Sequence, residues 1–210
     1  MIRPYLALLL IPVGLATAQQ LKPIALPAPR TTGGKPLMEA LKERKSTREF
    51  STEKLSPQTL SNLLWAAWGI NREGGYRTAP SANNHQEIDV YAVMADGAYL
   101  YDAKANTLKP VVSGDLRKLT GEQPFVEEAP LNLVYIADFA RYPGDNENKV
   151  AISNADAAFV AQNVYLFCAS EGLAVVVRAS IPKPELGKAL KLRPNQLITL
   201  AQTVGNFKKP

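Results

Sequence analysis

Arg44-Lys45-Ser46-Thr47-Arg48-Glu49-Phe50, written RKSTREF, follows the helix-like stretch PLMEALKE and crowds three cations and two hydroxyls into its first five residues. Arginine forks pair with phosphate oxygens, and a neighbouring hydroxyl adds a directional contact. The same run also suits a solvated polar turn, since Lys42, Glu43 and Glu49 stand beside it. Taken alone, it leaves both readings open.

Working outward, Pro36 opens a short helix, and Ser56-Pro57 opens a second with Leu60, Leu63, Leu64, Ala67 and Trp68 at helical spacing. A loop, APSANNHQ (Ala79 to Gln86), then precedes EIDVYAVMADGAYLYDAKANTLKPV, whose alternation around an Asp-Gly turn predicts a β-meander. A helix is expected near Ser113–Leu119, then the apolar strand LNLVYIADF. A long apolar helix spans Ile152–Glu171, with Gly172 placed to end it. GLAVVVRAS reads as a strand, PKPELGKAL as a short helix, and QLITLAQTVG as a last strand. Helices and strands mix without regular βαβ alternation, which predicts an α+β fold around a mostly antiparallel central sheet flanked by helices.

The 210 residues, 46% hydrophobic and 20% charged, suffice for one ordinary domain. At the N-terminus, Arg3, the apolar Leu6–Leu15 and Ala16-Thr17-Ala18 read as a signal peptide over 1–18, cleaved after Ala18, which predicts an exported, periplasmic protein with no membrane span after cleavage. Its rival is an uncleaved anchor, although the apolar run is short for one. Residues 19–35 read as an extended tether, and 36–210 as the domain.

Losing Arg3 takes the formal charge from +5 to +4, spread along the chain without a basic block, so nucleic acid is not an expected partner. A single histidine and a single cysteine exclude most metal constellations, and no metal is expected. Cys168, in an apolar helical run, reads as a core residue. Neither a GxGxxG fingerprint nor a phosphate loop occurs.

In sequence order, RKSTREF, WAAWGIN, APSxxNxQ, GLAxVVR and QTVG together resemble the nitroreductase superfamily of flavoproteins, in particular the short branch with the azoline (thiazole and oxazole) dehydrogenases. The usual RRSxRxF differs here only by Lys45. The resemblance covers nearly all of residues 36–208. It implies a homodimer binding FMN at its interface, with NAD(P)H as a possible electron donor and a small organic molecule as substrate. Arg44, Lys45 and Ser46 would serve the FMN phosphate and ribityl chain, Arg48 the pyrimidine edge, and Lys208 a second phosphate contact. Pro80, Ser81, Ala82 and Asn84 would embrace the flavin from the partner subunit. Val176, Val177, Arg178 and Ala179 would form the strand under the ring. Arg178 is also open to binding an anionic substrate or pairing with Glu171, and His85 to donating a proton or serving the loop.

Three departures stand out. Asn83 replaces a common glycine, His85 follows Asn84, and the long C-terminal arm of many members is missing after QTVG. The implied reaction is hydride transfer through the flavin by alternating half-reactions. The alternatives are an azoline-type dehydrogenase, or an exported binding protein that kept the fold without turnover.

Overall fold

All eight residues of LNLVYIAD are buried, so this strand needs a cover on both faces. The computed structural model, which describes residues 21–142, 144 and 147–209, puts it near the middle of the sheet. The strands are β1 (Ile24–Ala25), β2 (Ile70–Arg72), β3 (Tyr76–Arg77), β4 (Ile88–Met94), β5 (Gly97–Asp102), β6 (Thr107–Ser113), β7 (Leu131–Asp138), β8 (Ala174–Arg178) and β9 (Gln196–Gly205). Seven of them form one sheet in the order β1-β6-β5-β4-β7-β9-β8, antiparallel at every contact. β2 and β3 make a separate ribbon.

The helices are α1 (Leu37–Glu43), α2 (Pro57–Trp68), α3 (Phe125–Glu128), α4 (Lys149–Glu171) and α5 (Lys183–Ala189). The period of two along the strands decides which helix covers which face. Val90 and Ala92 of β4 join Leu133 and Tyr135 of β7 in a cluster with α2 and α4. Tyr91 and Val93, with Val134 and Ile136, face the other way toward Leu186 and Leu190 around α5. Helix ends follow local chemistry. Ser56 Oγ accepts from Thr59 N–H at 3.0 Å, capping α2 ahead of Pro57. Gly172 turns left-handed at φ 69°, and Leu173 N–H reaches back to Cys168 O at 2.8 Å.

Two expectations are corrected. No α-helix fills Ser113–Leu119: β6 runs to Ser113, and only a 3₁₀ turn over Arg117–Thr120 follows. Gly114, at φ 97°, turns the chain away from β6, and Asp115 Oδ1 accepts from Arg117 N–H at 3.0 Å, a local side-chain turn that competes with a helical start. The tether is also not free. Over its described part it is extended but docked, with β1 extending the sheet beyond β6 and Leu21, Ile24 and Leu26 packed on the core. Asn106 Nδ2 donates to Pro27 O at 2.8 Å and Ser61 Oγ at 3.1 Å, and Asn106 O accepts from Leu26 N–H at 3.1 Å. Farther on, Lys35 N–H donates to Ser170 Oγ at 2.8 Å. Gly34 beside it has φ 81°, and a Cβ there would lie 2.5 Å from that hydroxyl, so this close approach needs glycine. The signal segment 1–18 lies outside the described residues.

Asn106 holds its own backbone at φ 48° while clamping this segment. Asn106→Ala is expected to lose about 2 kcal/mol in denaturant unfolding. Limited proteolysis should cut residues 21–30 faster in that variant.

Candidate active site

RKSTREF begins at the end of a helix, with Arg44 N–H on Ala40 O at 2.9 Å, and then leaves it. α1 stops at Glu43, and the next residues run along the outer edge of β8 as an extended strap. Thr47 N–H donates to Val175 O at 2.9 Å, Phe50 bridges Phe207, and Ser51 N–H donates to Asn206 O at 2.9 Å. Phe50 anchors the strap: it is buried, with its ring 5.5 Å from that of Phe125, beside Ala174 and Val176.

The cations stay outside. Arg44 lies over the Tyr165 ring at 5.3 Å and Lys45 over the Phe207 ring at 5.8 Å. Arg48, Lys208 and Lys209 share an open groove of about 700 Å³ with Phe125 and Glu128. Lys45 lines a separate cleft of about 450 Å³ with Tyr165 and Val175. Among the described residues, no carboxylate forms a salt bridge with Arg44, Lys45, Arg48 or Lys208. Unpaired cations gathered along one edge make a built attraction for an anion.

Tyr165, a residue that sequence reasoning missed, ties the edge together. Its hydroxyl accepts from Val177 N–H at 2.9 Å and lies 2.8 Å from Ser46 Oγ, to which its own proton can go. One side chain of α4 therefore fixes both the strap and the strand beside it. Val176 is buried, Val177 half-buried and Ala179 exposed.

Arg178 turns its side chain inward. Its guanidinium is buried and bonds to Thr203 Oγ1, to Thr120 O and Oγ1 at 3.0 Å, and to Asn132 Oδ1 at 2.9 Å. Among the described residues no carboxylate forms a salt bridge with it, Glu171 included, and burial lowers its pKa to about 10. Its side chain belongs to the core, because it shares a strand face with buried Val176. Cys168 is buried as expected, and burial pushes its thiol well up.

The loop before β4 is strained. Asn83, Asn84 and Gln86 have φ of 49°, 56° and 50°. Asparagine tolerates that region, which accounts for Asn83 where a glycine is common. Ser81 Oγ accepts from Gln86 N–H at 2.9 Å, and Gln86 Nε2 donates to Asn84 Oδ1 at 3.0 Å. Ala82 N–H donates to Asp156 Oδ2 on α4 at 2.9 Å, while Pro80 and Asn84 stay exposed. His85 packs on Tyr142, ring centroids 4.5 Å apart.

The chain does not bring loop and strap together. Asp156 and Tyr165, which hold them, are nine residues apart on α4. At 3.6 residues per turn that puts them on opposite sides, about 13 Å apart along the axis.

Residues 41–206 match the Nitroreductase family. The chain belongs to that family. Its reaction class is oxidation–reduction. A protein of Methanocaldococcus jannaschii assigned as a nitroreductase is 28% identical over 177 residues, spanning 78% of this chain and 88% of that one. A Ralstonia eutropha nitroreductase-family crystal structure is 40% identical, covers 99% of both chains and superposes with a TM-score of 0.86. At 21% identity, a Desulfovibrio desulfuricans nitroreductase-family structure in complex with FMN shares the fold, with a TM-score of 0.61 over 84% of this chain and 89% of that one. The Escherichia coli microcin synthetase McbBCD complex shares it at 18% identity and a TM-score of 0.68, over 97% of this chain and 79% of that one.

In this nitroreductase-family site, Tyr165→Phe keeps the ring and removes only the hydroxyl. Denaturant unfolding is expected to show a loss of about 1–2 kcal/mol, from the stranded Val177 amide. Hydrogen exchange at Val177 should speed up in the same variant.

Proposed function

We propose that the protein is an FMN-dependent oxidoreductase that works as a homodimer on a small organic substrate. The observation that carries the reading is the strap: unpaired Arg44, Lys45 and Arg48, a fixed Ser46, and Lys208 facing the same groove as Arg48. This donor set suits a phosphate monoester beside a flat ring. Arg44, Lys45 and Ser46 would hold the phosphate and ribityl chain, with Lys208 as a further cation and Arg48 toward the ring. The backbone of Val176, Val177 and Ala179 would lie beneath the ring. Bound FMN supplies hydride chemistry at N5, and the protein contributes position and charge.

The second copy answers the separation of loop and strap. Along the outside of α4, Val150, Ala151, Ala155, Ala158, Phe159 and Gln162 form an exposed stripe without a charge, and Phe159 is 48% exposed. Leu37 and Met38 of α1 are 63% and 75% exposed. Apolar helix faces of this size need a cover. A partner seated there would bring its Pro80, Ser81, Ala82 and Asn84 toward this chain's strap.

Export is part of the reading and rests on Arg3, the apolar run and Ala16-Thr17-Ala18. Among the described residues no helix is long and apolar enough to cross a membrane. The donor is NAD(P)H or a reductant of the outer compartment. The azoline-dehydrogenase reading, with hydride passing from a ring to the flavin, draws on the McbBCD likeness along nearly the whole chain.

The test is the visible spectrum of purified protein with FMN, before and after NADH, NADPH and dithionite. Retained flavin that bleaches is the expected result, and no retained flavin would overturn the proposal. Arg44→Ala is expected to raise the FMN dissociation constant about tenfold or more, since a charge-assisted bond is lost. N-terminal sequencing of protein recovered from the exporting cell should begin at Gln19.

A further inference from the structure

Beneath the strained loop, two acids are buried together. Glu87, one residue before β4, is fully buried, and Asp156 on α4 is 3% exposed. Ser153 Oγ donates to Glu87 Oε1 at 2.9 Å, while Glu87 Oε2 meets no protein donor among the described residues. Asp156 follows Ser153 by one turn on the buried side of α4, so the two acids occupy one pocket with no cation bonded to that free oxygen. Two carboxyl groups bond to each other only when a proton lies between them. Asp156 then spends its Oδ2 on Ala82 N–H.

The cations around the pair are engaged elsewhere. From the turn after β7, Arg141 gives Nη2 to the Glu87 backbone oxygen and to Asp89 Oδ1, both at 2.8 Å. Arg193 bonds Asp138, and Arg77 of β3 donates Nε to Gln86 Oε1 at 2.8 Å. Lys149 at the start of α4 lies over the Phe139 ring, and His85 stacks on Tyr142. Burial, with backing from Asp156, raises the Glu87 pKa above its ordinary value.

We propose that Glu87 and Asp156 share one proton, and that this protonated pair latches the 80–86 loop onto α4. Both acids are then positioning residues for the loop, acting through the Ala82 amide. Three non-glycine residues at positive φ persist only where the surroundings hold them, and this bond is the loop's tie to a helix. The loop's part in a flavin site rests on the proposed function; the latch itself does not.

Glu87→Gln makes the latch permanent, because its amide donates to Asp156 while its oxygen still accepts from Ser153. The experiment compares wild type and Glu87→Gln by denaturant unfolding and by hydrogen exchange at Ala82, from pH 4 to 9. A carboxyl whose folded pKa is raised gives its full stability below the unfolded pKa and loses it as pH rises through the folded one. Wild type is therefore expected to lose about tenfold in its folding equilibrium constant, relative to Glu87→Gln, for each pH unit between about 4.3 and the raised Glu87 value, then to level off. Protection of the Ala82 amide should drop at the upper end of that window in wild type alone. Parallel stability curves would overturn the proposal, as would diverging curves with Ala82 equally protected in both proteins. Asp156→Asn gives an independent arm: its amide donates to Glu87 and its oxygen accepts from Ala82, so protection at Ala82 should lose its pH dependence. Neither readout needs flavin, so a protein that binds no FMN overturns the proposed function and leaves this test intact.

Discussion

A helix of 23 residues with one charge between its ends must be covered on every side, and α4 is such a helix. Between Lys149 and Glu171 Asp156 is the one Asp, Glu, Lys, Arg or His, and it is buried. The sheet covers one side, α1 and α2 pack on others, and the stripe from Val150 to Gln162 is left over. Everything chemically interesting in the chain hangs from this helix. Tyr165 holds the strap on one side and Asp156 holds the loop on the opposite side. The two anchors stand half a turn of the helix apart in direction, so strap and loop leave α4 on different sides.

Strand and helix positions were largely legible, because burial leaves a period in the sequence. LNLVYIAD is an unbroken apolar run and proves to be buried throughout. The meander around Asp96-Gly97 and the stop at Gly172 follow from turn chemistry that a few residues decide alone. The segment 21–35 was harder to read. Ile24 and Leu26 alternate as a strand does, but three prolines within Pro23–Pro29 mask the signal and only the docked acceptors of Asn106 explain it.

The candidate site shows its surface residues in the sequence and hides its supports. RKSTREF advertises its cations, and the exposed Pro80 and Asn84 sit in a recognisable loop. The inward turn of Arg178 is hidden for a physical reason: a strand fixes the face its residues share, yet the sequence does not say which face is inside. Tyr165, Glu87 and Asp156 leave only faint marks, such as one acid inside an otherwise uncharged helix. Their partners lie tens of residues away along the chain, where no local pattern reaches.

The order of synthesis has a bearing on the last strand. β9 follows every other described strand in the chain, yet it lies between β7 and β8, and Phe207 beyond it closes against Phe50 of the strap. Until the ribosome has released residues 196–207, β7 lacks a neighbour and the strap has nothing to bridge. Such long-range closure delays completion of the sheet until β9 is available. A nascent chain of this topology keeps one side of β7 unpaired until residues 196–205 have emerged, and an unpaired strand edge is open to any other chain that meets it first.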